Sequence, residues 1–178
     1  MTVRTGPVSW ITPATPPPEY LVALGRLVIA HAHLDHMLKM TIKSLLGINI
    51  EEALQGLSRK GGPELRRRIE QHSLETLNDE TVTKRLMELL SRCRMASERR
   101  NYIAKSVYVR HLDGPRAGQI ALHDPDKQTY DPPPPIEEVD RIAEEVEALV
   151  REINHARLEG WLGQAISGIE NPSGSDWK

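Results

Sequence analysis

Apolar residues recur every three or four positions through three long stretches of this 178-residue chain, 19–46, about 80–105 and 136–167. That period fits the 3.6-residue turn of an α-helix and not the two-residue alternation of a half-buried strand. The first stripe is Leu21, Leu24, Val28, Ala32, Asp35, Leu38, Ile42 and Leu45, widened by Leu27, Leu34 and Met37, and Gly47 supplies a stop. The second is Val82, Leu86, Leu89, Cys93, Ala96, Arg100, Ile103 and Val107. The third runs through Val139, Ile142, Ala143, Val146, Leu149, Val150 and Ile153 and continues through Leu158, Trp161, Leu162 and Ile166 as one helix. Such helices span about 35–45 Å each. Shorter helical pieces are expected over 50–57 and from Pro63, a favoured first helical residue, to about 77.

The fold class this predicts is all-α, an antiparallel four-helix bundle. A small β-hairpin at about 107–123 is inserted between the last two long helices. There the β-prone segments 107–112 and 119–122 flank the turn Asp113-Gly114-Pro115-Arg116-Ala117-Gly118. Prolines mark the borders. Pro7, Pro13, Pro16, Pro17 and Pro18 remove backbone donors from residues 1–18, which are read as an extended arm, and Pro132 to Pro135 form a stiff spacer before the last helix. The helical domain is expected over 19–168 and a frayed tail over 169–178.

Composition narrows the function. The net charge of -2 gives nothing global to attract a polyanion, so any such site must be a local patch. Aromatic residues make up 4% of the chain with no Phe, which argues against an aromatic platform for single strands. The lone Cys93 cannot form an internal disulfide and fits a reducing compartment. No run approaches the roughly 20 apolar residues that span a bilayer. A cytoplasmic protein without membrane contact is the expectation, and no metal or cofactor is expected.

Chemistry is concentrated where polar groups interrupt apolar stripes. Arg100 stands in register on the second stripe beside Asn101, and an unpaired buried charge is costly. Asp35, which interrupts the first stripe, is the predicted partner. His31-Ala-His33-Leu-Asp35-His36 spells the zinc signature of metallo-β-lactamases, but on a helix successive residues turn by about 100°, so the three imidazoles splay apart and only His31 and Asp35 share a face. The densest basic run is Arg66-Arg67-Arg68, with Arg59 and Lys60 upstream. Its ordinary meaning is a solvated helix face; beside an Arg100 cleft it would lead phosphates inward.

The segment Arg100-Asn101-Tyr-Ile-Ala104-Lys105, closing a long helix, together with Leu34-Asp35 in the first helix, resembles the HEPN (higher eukaryote and prokaryote nucleotide-binding) family of helical bundles. The resemblance covers most of 19–168. It implies a homodimer whose two protomers bring Arg and His together in metal-independent RNA cleavage, as part of a defence or toxin-type system, with RNA or a protein as partner. The matching candidate catalytic residues are Arg100, Asn101 and Lys105, supported by Asp35, His31 and Tyr108, with Arg66, Arg67 and Arg68 as RNA contacts. Where the family carries His this chain has Lys105. A Lys stays protonated and binds phosphate, but it is a poor base. The reading is therefore an RNA-binding or regulatory domain with a degenerate site. An active endoribonuclease and a protein-interaction scaffold are the alternatives, and His111 or His123 near the hairpin are candidates for the missing imidazole.

Overall fold

A computed structural model describes residues 10–124 and 129–167. Helices hold most of these residues, and a small antiparallel sheet is set at one end. Strand β1 (Ile11–Pro13) precedes helix α1 (Pro18–Leu46), then come α2 (Ile50–Leu57), α3 (Gly62–Thr76), α4 (Glu80–Lys105), β2 (Val107–His111), β3 (Ile120–Asp124), β4 (Thr129–Asp131), α5 (Ile136–Leu158) and α6 (Trp161–Ser167).

Local chemistry explains the boundaries. Pro18 starts α1, and Gly47 ends it in the left-handed region, its N–H donating to Ser44 O. Asn49 and Glu52 form a reciprocal capping box at α2. The Asp79 carboxylate accepts from the Thr81 and Val82 amides to open α4.

α1 is the central helix, packing along α5 and against α3 and α4. Its buried residues include Tyr20, Ala23, Leu27, Ala30, His31, Leu34 and Leu38. This corrects the expected stripe, because Leu21, Val28 and Ala32 are exposed. α1 is apolar on two faces near its start, and only packing decides which one turns inward. In α4, Val82 is half-buried and Ser97 joins the buried set. Val107 lies beyond the helix, exposed in β2.

The expected hairpin is half of a four-stranded sheet in the order β1-β2-β3-β4. Residues 11–13 of the proline-rich arm pair with β2, Ile11 opposite His111 and Pro13 opposite Val109. β4 pairs with β3, Tyr130 opposite His123. Tyr108 ties the sheet to the helices: its ring meets Tyr20 edge-on at 5.9 Å and its hydroxyl donates to Ile103 O. The single last helix is also corrected. α5 stops at Leu158, with the Glu159 and Gly160 amides both donating to His155 O, and α6 restarts at Trp161. The expected tail, 169–178, lies outside the described residues. No helix among the described residues is long and apolar enough to cross a membrane.

Candidate functional site

Three helices bring polar side chains to one enclosed cluster. α1 contributes His31 and Asp35, one turn apart on one face. α3 contributes Arg66 from its second turn. α4 contributes Ser97 and, one turn later, Arg100. His31, Arg66 and Ser97 are 4%, 8% and 6% exposed.

Ser97 is the hub. Its Oγ lies 2.9 Å from His31 Nε2, accepts from Arg66 Nη1 at 3.3 Å and donates to Cys93 O at 2.9 Å. His31 Nδ1 faces Asp35 Oδ2 at 3.7 Å. The serine has one proton and two acceptors within reach. If the hydroxyl donates to the Cys93 carbonyl, Nε2 must be the protonated nitrogen of His31; if it donates to Nε2, the imidazole proton sits on Nδ1 and points at Asp35.

Gly62, in the first turn of α3, makes room for this cluster. A Cβ there would stand 3.1 Å from both Arg66 Nη1 and Asp35 Oδ1. The guanidinium and the carboxylate thus face one another across a residue with no side chain.

Cationic charge dominates the surroundings. His31 has its pKa lowered, first by burial and then by the charges of Arg100, Arg66 and Lys105, against the opposing pull of Asp35. The imidazole is therefore held neutral at neutral pH. Cys93, one turn before Ser97, has its thiol pushed up to about 12 by burial and is inert as a nucleophile.

The predicted Arg100–Asp35 ion pair does not form. Arg100 Nη1 donates to Asn101 Oδ1 at 2.8 Å, and its buried Nε has no hydrogen-bond partner among the described residues. Asp35 turns toward His31 because i,i+4 neighbours on one helix meet without any movement of α4. The basic run also divides. Arg67 and Arg68 both bond Glu64, at 3.0 Å, whereas Arg66 alone turns inward. Three consecutive helical residues cannot share a face, so the expected patch reduces to one buried guanidinium. Neither Arg66 nor Arg100 has a carboxylate within 4.0 Å among the described residues.

Other predicted residues fall as follows. Lys105 is exposed in the last turn of α4. Tyr108 belongs to the contact between sheet and helices rather than to the cluster. His111 and His123 lie on β2 and β3 around Tyr130, with ring centroids 5.8 and 4.7 Å from its ring. His33 and His36 are exposed while His31 is buried, so the zinc-like hexapeptide is split by the helix. Among the described residues, no group of three or more His, Cys, Asp or Glu could hold a metal ion.

Ser97 and Gly62 were not singled out by the sequence. The available signals were a hydroxyl four residues after Cys93 on a buried stripe and a Gly-Gly-Pro start to α3. Ser97, His31 and Asp35 stand in the order hydroxyl, imidazole, carboxylate, which is the composition of a nucleophilic relay. Enclosure opposes that use, since the Ser97 Oγ is engaged by three protein groups and offers no open side to an electrophile. Beyond its burial, the charges of Arg100, Arg66 and Lys105 all act on the His31 imidazole and keep it neutral. No protein-family model matches the chain, and neither the curated proteins nor the solved structures hold a match.

Proposed function

We propose that this chain is a HEPN-like homodimeric bundle that binds RNA or regulates through it, with a degenerate ribonuclease site. One observation carries the reading: Arg66 and Arg100, from two helices, stand around a single buried imidazole, and neither is ion-paired to a carboxylate among the described residues, Asp35 facing Arg66 only across Gly62. Guanidinium groups left in this condition are costly, and a phosphate oxygen is their natural complement. Lys105 adds a point charge at the rim, where it supplies attraction but no base.

Binding to a short single-stranded RNA, followed by anisotropy over a salt series, tests this reading. Affinity should fall as salt rises, and Arg100→Ala should weaken binding and lower the salt slope by about 1. Binding that is absent at low salt, or indifferent to salt, sinks it.

A second reading, an active metal-independent endoribonuclease, is favoured by His31, which brings an imidazole to the Arg100 cluster from α1. RNA incubated with chelator separates the two. The degenerate site gives no cleavage in the wild type and gains it with Lys105→His, whereas the active site cleaves in the wild type and loses cleavage with His31→Gln.

A further inference from the structure

The hydrogen-bond geometry around His31 suits an imidazolium, while the charges around it suit a neutral ring. Ser97 Oγ has one proton to give and two lone pairs to offer. Its neighbours are Cys93 O at 2.9 Å, which can only accept, Arg66 Nη1 at 3.3 Å, which can only donate, and His31 Nε2 at 2.9 Å. All three contacts are made together only when Nε2 carries a proton. On the other side of the ring, Nδ1 lies 3.7 Å from Asp35 Oδ2, in ion-pair range and short of a hydrogen bond. Both His31 Nδ1 and Asp35 Oδ1 are buried without a hydrogen-bond partner among the described residues.

Each neutral tautomer leaves one of these contacts unmade. With the proton on Nε2, a lone pair at Nδ1 faces the carboxylate. With the proton on Nδ1, Nε2 and the Cys93 carbonyl compete for the single serine proton. A ring protonated on both nitrogens satisfies Ser97 and Asp35 at once.

The proton is refused because the ring is buried and cations surround it. Burial opposes the charge first; Asp35 on α1 draws a proton in, and Arg100 and Lys105 on α4 with Arg66 on α3 resist it. Cys93, on the α4 face beside Ser97, stays a neutral thiol. The acidic groups of α5 lie elsewhere: Glu147 feels the charge of His33, which is about 200° round α1 from His31. The cationic charge that resists the proton is the same charge that the phosphate reading assigns to RNA. An anion on Arg66 and Arg100 cancels that resistance and leaves Asp35 and Ser97 to draw the proton in. Such coupling is reciprocal, so a proton that phosphate favours also favours phosphate, by the same factor.

We propose that this cluster takes up an RNA phosphate and a proton together, His31 becoming the imidazolium as the phosphate neutralises the two guanidinium groups, so that mild acid tightens binding. The proton comes from solvent and Asp35 remains a carboxylate throughout. The inference rests on the RNA-binding reading above and adds its regulation.

An oligouridine without terminal phosphates tests it on the full chain, because neither its bases nor its phosphodiesters titrate over the range in which imidazole does, about pH 5.5 to 8. Affinity read by anisotropy should rise as pH falls, by at most about tenfold per pH unit for one proton. Calorimetry in two buffers of different ionisation heat should show net proton uptake on binding. The His31 ring resonance, assigned by its loss in His31→Gln, should titrate at higher pH with RNA bound than without it. His31→Gln should remove this pH dependence. Asp35→Asn, which keeps the imidazole and removes the carboxylate that draws the proton, should shrink it, with circular dichroism checking that both variants keep their helix content. If either variant fails to fold, the wild-type ring titration decides alone. Salt-dependent binding with a flat pH profile and an unmoved His31 resonance overturns the proton linkage and leaves the RNA reading standing. A pH slope that persists in folded His31→Gln overturns the assignment to His31, and binding absent at every pH overturns both inference and reading.

Discussion

His31 Nε2 and Ser97 Oγ, 66 residues apart in sequence, lie 2.9 Å from one another and join the central helix to α4 through a buried hydrogen bond. The same oxygen receives Arg66 from α3, so one hydroxyl links three helices. Replacing Ser97 with Ala should therefore do more than delete one bond. It leaves a guanidinium and an imidazole without their shared acceptor, at a cost of about 1–3 kcal/mol, measured as a lower urea midpoint at unchanged slope. If Ser97→Ala matches wild type in stability, the network holds nothing together.

Acid should weaken the fold in two separable windows. Burial and the nearby cations keep the folded-state pKa of His31 below its ordinary value. As pH falls through about 6.5, the unfolded chain takes up a proton that the folded chain refuses, so stability drops. Glu64, held at about 2 by hydrogen bonds from Arg67 and Arg68, loses its share only below the usual carboxylate range, and being exposed it contributes little. His31→Gln should flatten the melting temperature between pH 7 and pH 5 and leave the decline at lower pH in place. An unchanged slope between pH 7 and pH 5 in that variant would assign the loss to other groups.

Gly163 is confined by backbone. A Cβ at this position would approach Arg157 O to 2.6 Å and Leu158 O to 3.2 Å, both main-chain atoms that cannot rotate away. Gly163→Ala should displace α6 and disturb the stacking of Arg85 on Trp161, at 4.8 Å from the ring centroid. A loss of about 1–3 kcal/mol in chemical denaturation is expected despite the better helix propensity of Ala. A stability gain would show that α6 tolerates the shift.

Cys93 should resist alkylation. Its thiol is fully buried and pushed up to about 12, so iodoacetamide should modify the folded chain many times more slowly than the chain in denaturant. Equal rates in the two states would mean that the interface between α1 and α4 opens readily.

Much of the fold was legible because helix signals are local. The extents of α1 to α4 follow from period, prolines and caps, each decided within a few residues of the chain. β1 and β4 were not legible, since three-residue strands carry almost no periodic signal and exist only through pairing with β2 and β3. The break between α5 and α6 was hidden because the apolar stripe continues through Leu158 to Trp161 and Leu162, while the backbone turns at Glu159 and Gly160.

The candidate site divides in the same way. Sequence identified Arg100 and Asp35 because charged groups on apolar stripes need an explanation wherever the stripes go, His31 because it shares a helix face with Asp35, and Arg66 only as one of a basic run. Their partners were a matter of distance in space. Arg100 turned to its neighbour Asn101, Asp35 to His31, and Arg66 to Ser97, and a Cβ at Gly62 would crowd both Arg66 and Asp35. On α1 the pattern offered two apolar faces, and it could not say which would be covered. Burial against α3, α4 and α5 chose the face of Leu27 and Leu34 and left that of Val22 and Ile29 outside. Local spacing determined where this chain coils; only the packing of helices distant in sequence decided which polar groups meet and which apolar face stays open, because those choices depend on atoms that the sequence order does not place side by side.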